Sequence, residues 1–172
     1  MSKKKTITNW FEQYGNDIYL FLTYRTNIND AEDLLQEVFI KALVNVKYFQ
    51  GKSHPKTWLL SIARNVAIDS IRKKQAKKSK KVIPIDKDDV IYTEQTPATI
   101  LEANEQEQEI YQCIQQLKEN YRDVIVLRGI QALSVTDTAH ILNWSENKVT
   151  STHYRARLAL IKKLRRSESN AK

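Results

Sequence analysis

The amino-acid sequence predicts an all-α protein made of two small helical domains joined by a flexible linker. Three observations support this fold class. Apolar residues recur with a helical period over long segments, glycine and proline occur only three times each among 172 residues, and few stretches resemble strands. A chain of this length forms one large domain or two small ones, and an interruption of the apolar period favours two.

Three helices are predicted in the first domain, residues 1–76. Each has apolar residues three or four positions apart, a spacing that places them on one helix face. The first helix carries Phe11, Tyr14, Ile18 and Leu22, the second Ala31, Leu34, Leu35, Val38 and Ala42, and the third Leu59, Ile62, Ala63 and Val66. The third helix continues into a basic stretch.

The apolar period stops at residues 77–99, where Pro84 and Pro97 interrupt the chain. Proline is a strong helix breaker, and a segment without apolar periodicity is typical of a linker. The sequence therefore predicts a linker over 77–99 and a second domain over 100–172.

The charge of the chain is large and unevenly distributed. The formal net charge is +8. Residues 72–81 hold seven basic and no acidic side chains, residues 85–109 carry a net charge of about −7, and residues 145–172 carry about +6. A basic protein favours a polyanionic partner, and the charge alone leaves nucleic acid and an acidic membrane surface equally open.

The second domain contains the pattern of a helix-turn-helix. Ser134 is a candidate N-cap with Asp137 three residues later, and the helix after it would bury Val135, Ala139 and Leu142. Asn143 stands where a left-handed residue would end this helix, and Ser145 can cap the next one. Two helices joined by so short a turn cross sharply, which leaves the second free to enter a major groove of DNA.

This second helix is predicted to have two faces. Val149, Ala156 and Leu160 line the side that packs on the domain, while Asn147, Thr150, Ser151 and Tyr154 line a polar side whose short side chains can reach base edges. Arg155 and Arg157 lie further along, where phosphates would pass. A basic amphipathic helix can equally be a solvated surface, but the capped helix and turn before it favour DNA.

No catalytic or metal-binding pattern is present. A single cysteine, Cys113, excludes an internal disulfide, and its spacing predicts a buried position. His54, His140 and His153 are far apart in sequence and offer no metal-ligand spacing. No apolar run is long enough for a membrane helix or follows the basic start as in a secretory signal, so the expected location is the cytoplasm.

Three segments together resemble a bacterial sigma factor of the extracytoplasmic-function (ECF) group. They are "DAEDLLQEVFIKAL" (30–43), "FQGKSHPKTWLLSIARNVAIDSIRKK" (49–74) and "YRDVIVLRGIQALSVTDTAHILNWSENKVTSTHYRARLAL" (121–160). No single motif is decisive, but three in the right order cover nearly the whole chain. The resemblance implies two domains, called sigma2 and sigma4, and a protein that directs core RNA polymerase to promoters and helps to melt them.

The resemblance also assigns roles to residues. Asp33, Gln36 and Glu37 match positions that dock on the clamp helices of core polymerase, and they share one face of a helix. Positions that capture the minus-ten element are matched by Phe49, Gln50, Gly51, Lys52, Ser53 and Asn65, with Arg64, Arg72, Lys73 and Lys74 towards the DNA backbone. Positions on the minus-thirty-five element are matched by Arg128, Thr150, Ser151, Tyr154 and Arg155, and Asn147, Lys148 and Arg157 of the same helix are further candidate contacts. Trp58 is expected in the core rather than stacked on a base.

Further expectations follow from the same resemblance. The partners are core polymerase, through its clamp helices and flap, promoter DNA and an anti-sigma factor; no cofactor, metal or small-molecule substrate is expected, and the chain is a monomer when bound to polymerase. Thr138 and His153 depart from the family pattern, because they stand at usually apolar core positions. The alternatives are a stand-alone helix-turn-helix regulator and a helical adaptor for acidic surfaces, neither of which explains "DLLQE" and "FQGKS" together with the capped turn.

Overall fold

The computed structural model describes residues 2–80 and 104–170, and in these two parts of the chain every regular element is helical. Helix α1 spans Lys3–Arg25, α2 spans Ile28–Asn45, and α3 spans Pro55–Lys80, with a single 3₁₀ turn at Val46–Tyr48. The expected all-α fold is confirmed.

Local capping explains where the first two helices begin. The Ser2 hydroxyl accepts a hydrogen bond from the Lys5 amide at the start of α1, and the Asn27 side chain accepts one from the Asp30 amide at the start of α2. These contacts satisfy amide groups that have no partner within a helix. Only two residues separate α1 from α2, so the two helices turn back on each other and pack together.

The apolar spacing correctly predicted the core of the first domain. Ile18 and Leu22 of α1, Val38 of α2, and Leu59 and Ala63 of α3 are all fully buried. Phe11 is the exception among the predicted core residues, since it remains 48% exposed and contacts the ring of Phe39 at its edge.

Helix α3 extends four residues into the segment predicted as linker. Residues 77–80 continue the helix, because the basic stretch contains good helix formers and no proline occurs between Pro55, which begins the helix, and Pro84. The rest of the predicted linker, 81–99, and the first residues of the predicted second domain lie outside the described residues.

In its described part, residues 104–170, the second domain has four α-helices and one π-helical turn. They are α4 (Glu105–Gln115), α5 (Glu119–Val124), the π-helical turn (Ile125–Ile130), α6 (Val135–Leu142) and α7 (Glu146–Asn170). The π-helical turn continues α5 without a break and buries Ile125, Val126 and Leu127. Cys113 on α4 is buried and unpaired, as expected.

The two domains are in contact. Helix α6 packs on α3, and α4 and the π-helical turn pack on α1. Ile114, Val126 and Leu142 of the second domain belong to the same apolar cluster as Phe21 and Leu60 of the first. None of the helices in the described parts of the chain is long and apolar enough to cross a membrane.

Candidate nucleic-acid interface

Helices α6 and α7 form the predicted helix-turn-helix, and the expected caps are present. The Ser134 hydroxyl accepts from the Asp137 amide at 3.0 Å, and the Ser145 hydroxyl accepts from the Lys148 amide at 3.1 Å. Asn143 adopts the left-handed conformation with φ 57° and ψ 44°, a backbone geometry that asparagine tolerates better than most residues. The side chains of Ser134 and Ser145 and the backbone of Asn143 thus fix the turn and the start of α7.

The polar face of α7 is exposed to solvent. The side chains predicted to contact DNA are all exposed on this helix; they are Asn147, Lys148, Thr150, Ser151, Tyr154, Arg155 and Arg157. On the opposite side Val149 and Ala156 are fully buried, and Leu160 is partly buried against the core. The helix is therefore held by its apolar side and presents its polar side outward.

The two departures from the family pattern are accommodated differently. Thr138 is fully buried, and its hydroxyl oxygen has no hydrogen-bond partner among the described residues. His153 is partly buried, and this burial lowers the pKa of its imidazole, with further lowering by the positive charges of Arg128 and Arg157. His153 is thus favoured in its neutral form.

Arg128 differs from the other predicted contacts to upstream DNA. It lies on the π-helical turn, is only partly exposed, and its Nη1 donates a hydrogen bond to the carbonyl of Leu133. The guanidinium therefore stabilises the segment that leads into α6. To contact a phosphate, Arg128 must either break this hydrogen bond or use its other N–H groups.

The loop predicted to capture a base lies on an aromatic cluster. Phe49 contacts Trp10 and Trp58, with ring centroids 5.2 and 5.3 Å away. All three rings are partly buried, so Trp58 packs at the edge of the core, as expected. The cluster fixes the start of the loop and leaves the following residues to project from it.

The tip of this loop is polar and open. Gln50, Gly51 and Lys52 are exposed and Ser53 is partly buried. Gly51 has φ +71°, which strains any residue with a Cβ. After the loop, Nδ1 of His54 accepts a hydrogen bond from the Lys56 amide at 3.2 Å, so this histidine ends the loop and starts α3. The loop is thus a fixed polar projection beside α3.

The remaining residues predicted to contact the minus-ten element lie on α3, and they fall into two groups. Asn65, Arg72 and Lys73 are exposed. Arg64 instead turns towards the second domain, where its Nη2 lies 3.3 Å from Oδ2 of Asp123. Lys74 forms an ion pair with Asp30. Two of the predicted phosphate contacts therefore already have acidic partners within the chain.

The outer face of α2 combines the predicted polar contacts with apolar residues that sequence reasoning missed. Asp33 and Gln36 are exposed, and Glu37 is partly exposed and lies 3.4 Å from Lys41. Ile40 and Val44 are each 63% exposed on the same face. Their spacing from Gln36, four and eight residues, could have revealed them. The resulting surface, with carboxylates and an amide beside two aliphatic side chains, suits a protein partner.

Among the described residues no group of histidine, cysteine, aspartate and glutamate side chains could hold a metal ion. Three features are prominent. They are α7 with its exposed polar face, the polar loop at residues 49–53, and the outer face of α2, which carries both polar and apolar side chains. Together they are chemically suited to binding.

Comparisons with known proteins agree with the resemblance to ECF sigma factors found in the sequence. The family descriptions Sigma-70 region 2 and Sigma-70, region 4 match residues 10–77 and 107–160, respectively. The ECF RNA polymerase sigma factor SigX of Bacillus subtilis strain 168 is 41% identical over 155 residues, which cover 88% of this chain and 80% of SigX. The chain belongs to the ECF sigma factors.

Further relatives support the same family and fold. The sigma factor SigM of the same organism is 35% identical over 161 residues, with 90% of this chain and 93% of SigM covered. The sigma factor RpoE of Bartonella quintana, solved in complex with the anti-sigma factor NepR, superimposes with a TM-score of 0.75 at 23% identity, covering 94% of this chain and 98% of RpoE. This structure shares the fold.

As an ECF sigma factor, the chain is an alternative sigma factor that binds core RNA polymerase, recognises promoter elements and promotes transcription initiation. The stand-alone helix-turn-helix regulator is not favoured, since the match includes region 2 as well as region 4.

Proposed function

We propose that the chain reads a bipartite promoter with two separate surfaces and docks on polymerase with a third. The second domain, 100–172, reads the minus-thirty-five element as duplex. The first domain, 1–76, traps the non-template strand of the minus-ten element, and residues 77–99 connect the two. The chain acts without a cofactor or metal as a non-catalytic, cytoplasmic subunit that is monomeric on the polymerase.

The observation that carries this proposal is the polar face of α7. Seven candidate contacts are exposed together on a helix whose opposite side is buried and whose start is fixed by Ser145. Small polar residues, Thr150 and Ser151, allow close approach to base edges, while Arg155 and Arg157 supply the charge that phosphates require. Tyr154, 64% exposed, adds a large planar side chain between these two groups.

For the downstream element we assign capture of a splayed base to the loop. Gln50, Lys52 and Ser53 supply hydrogen-bonding groups beside the aromatic cluster of Trp10, Phe49 and Trp58. An extruded base requires a shaped pocket with donors and acceptors. Asn65, Arg72 and Lys73 continue this surface along α3 towards the backbone of the captured strand.

For polymerase we assign Asp33, Gln36 and Glu37 of α2 to the clamp helices and the second domain to the flap. Carboxylates and an amide on one face favour a partner with arginine side chains, and Ile40 and Val44 extend the contact with apolar area. An anti-sigma factor is a further proposed partner, because the Bartonella quintana relative was solved with one.

Transcription from a promoter library tests the assignment. Purified chain is added to core polymerase and randomised promoter DNA, and the start sites of transcripts are sequenced. We expect defined starts downstream of two shared sequence elements. Absence of both core binding and defined transcripts would contradict the proposal, whereas specific binding to duplex without polymerase would instead indicate a stand-alone regulator.

A further inference from the structure

Trp144 lies in the turn between α6 and α7, and its position is fixed. The Trp144 amide donates a hydrogen bond to the carbonyl of Ala139 at 3.0 Å, and Asn143 before it adopts the left-handed conformation. This combination is the Schellman motif that ends many helices. The Trp144 ring is partly buried and packs against the apolar cluster. Both the backbone and the ring of Trp144 are therefore held in place before any ligand binds.

The ring of Trp144 holds the side chain of Lys148. Nζ of Lys148 lies over this ring, 4.3 Å from its centroid. A cation within about 6 Å of the centroid is attracted to the face of an aromatic ring, and tryptophan attracts it most strongly. The Ser145 hydroxyl fixes the backbone of the same lysine, because it accepts a hydrogen bond from the Lys148 amide at 3.1 Å. The direction of the ammonium is thus determined from both ends of the side chain.

Lys148 stands at a position where a cation does not stabilise the helix. Ser145 precedes the first residue of α7, so Lys148 is the third residue of this helix. The amides of a first turn carry partial positive charge, and a capping box has glutamate or glutamine at this position. Glu146 of the same turn is held by Thr136, whose hydroxyl donates to its Oε1 at 2.7 Å. The start of α7 therefore combines a helix terminus and a lysine, both of which favour a negatively charged ligand.

No carboxylate of the described residues neutralises this ammonium. The ion pairs within residues 2–80 and 104–170 do not include Lys148. An aromatic ring restrains a cation without cancelling its charge, so the open side of the ammonium remains available to an anion. Lys148 is exposed next to Asn147 on the polar face of α7. This arrangement suits one phosphate group, which lysine binds as a point charge.

We propose that Trp144 is a positioning residue for the minus-thirty-five element, because its ring holds Lys148 in place to contact one phosphate of the duplex. In this proposal Trp144 acts through Lys148 and not through a DNA contact of its own. A lysine side chain that is already restricted loses less conformational entropy when it binds. The proposal rests on the proposed function, since it takes α7 to be the helix that contacts the upstream element.

Promoter affinity of the full chain bound to core polymerase tests this proposal over several salt concentrations. Lys148→Met retains the aliphatic length and removes the charge. The affinity should therefore fall about fivefold, and the slope of log affinity against log salt should fall by about one. Trp144→Leu releases an ammonium that can still reach the phosphate, so the affinity should fall about threefold while the slope stays unchanged.

The double variant separates positioning from a general structural role. If Trp144 acts through Lys148, Trp144→Leu should change the affinity by less than about 1.5-fold in the Lys148→Met background. The same threefold loss in both backgrounds would overturn the proposal. Trp144→Phe retains an aromatic ring and should stay within about twofold of the parent affinity. It is made in both backgrounds, so the coupling is still measured if Trp144→Leu does not fold.

The contact between the two side chains is also measurable by NMR in the free chain, without DNA. The ring current of Trp144 should shift the methylene protons beside Nζ of Lys148 upfield, and Trp144→Leu should abolish this shift. Unshifted methylene protons in the parent chain would overturn the proposal.

A second lysine on an aromatic ring provides the matched control. Nζ of Lys118, an exposed residue outside α7, lies 4.2 Å from the ring centroid of Tyr121. Lys118→Met should leave the promoter affinity and its salt slope unchanged, and a loss equal to that of Lys148→Met would overturn the proposal.

Arg155→Ala separates this inference from the proposed function. If Arg155→Ala weakens promoter binding while Lys148→Met and Trp144→Leu do not, only the inference is overturned. If none of the three variants weakens binding, α7 does not contact the upstream element, and the proposed function is contradicted as well.

Discussion

Asp123 and Arg25 lie 98 positions apart in the sequence, yet Oδ1 of Asp123 accepts a hydrogen bond from Nε of Arg25 at 2.7 Å in an interface that excludes water from both. The contact links the end of α1 to α5 of the second domain. It therefore connects the first domain to the domain that presents α7.

Removal of Arg25 should weaken this link measurably. In Arg25→Ala, Asp123 keeps only the longer contact with Arg64, and we expect the second domain to lose about 2 kcal/mol of its free energy of unfolding in urea. The control is Lys41→Ala, which removes the exposed pair with Glu37 and should cost less than about 0.5 kcal/mol. Equal losses in the two variants would contradict the role of burial at Arg25.

Arg155 and Ser151 should affect DNA binding differently. Arg155→Ala removes a phosphate contact, so it should weaken binding to all upstream sequences alike and reduce the slope of log affinity against log salt by about one. Ser151→Ala should instead relax preference at one base position. Fluorescence anisotropy over a set of duplexes and salt concentrations measures both. An effect of Arg155→Ala confined to one base position would contradict its assignment.

Asp33 should contribute to polymerase binding and not to DNA binding. Asp33→Ala removes a charge from the outer face of α2, so the affinity for core polymerase should fall, by roughly five- to tenfold for a single charged contact. Glu32→Ala is the matched control, because Glu32 is also exposed but lies at the edge of this face. Titration of labelled chain with core polymerase measures both, and equal affinities would remove Asp33 from the interface.

His153 should make the second domain sensitive to mild acid. Its pKa in the folded chain lies below the usual 6.5, through burial and then through Arg128 and Arg157, so the unfolded chain takes up the proton first. Stability is therefore complete above about pH 6.5 and decreases as the pH falls from there towards the folded pKa.

Urea unfolding at about pH 7.5 and about pH 5.5 measures this loss. His153→Gln, which cannot be protonated in this range, should show a smaller decrease than the parent chain. If both chains lose the same stability between the two pH values, His153 is not the group responsible.

Local rules explain why the helix-turn-helix was predictable from the sequence. Ser134, Asn143 and Ser145 act on residues within four positions of themselves, and each adopted the expected cap. The exposed face of α7 followed in the same way from helical periodicity, since the buried Val149 and Ala156 determine which side remains open.

Contacts between distant segments were not predictable from such rules. Arg64 was expected to face DNA, but 59 positions separate it from Asp123, and no periodicity reports a pairing across domains. Phe11 has the spacing of a core residue, yet it lies at the edge of the bundle beside Phe39. In contrast, the exposed Ile40 and Val44 could have been found, because their spacing from Gln36 places all three on one helix face.

Site-specific crosslinking in an open promoter complex tests the central claim most directly. A photoreactive phenylalanine analogue replaces Tyr154 in one chain and Gln50 in another, each is assembled with core polymerase on a promoter selected from the library, and the crosslinked bases are mapped. We expect position 154 to label the upstream duplex element and position 50 to label the non-template strand of the downstream element. Labelling of the same element from both positions, or of the two elements in the reverse order, would contradict it.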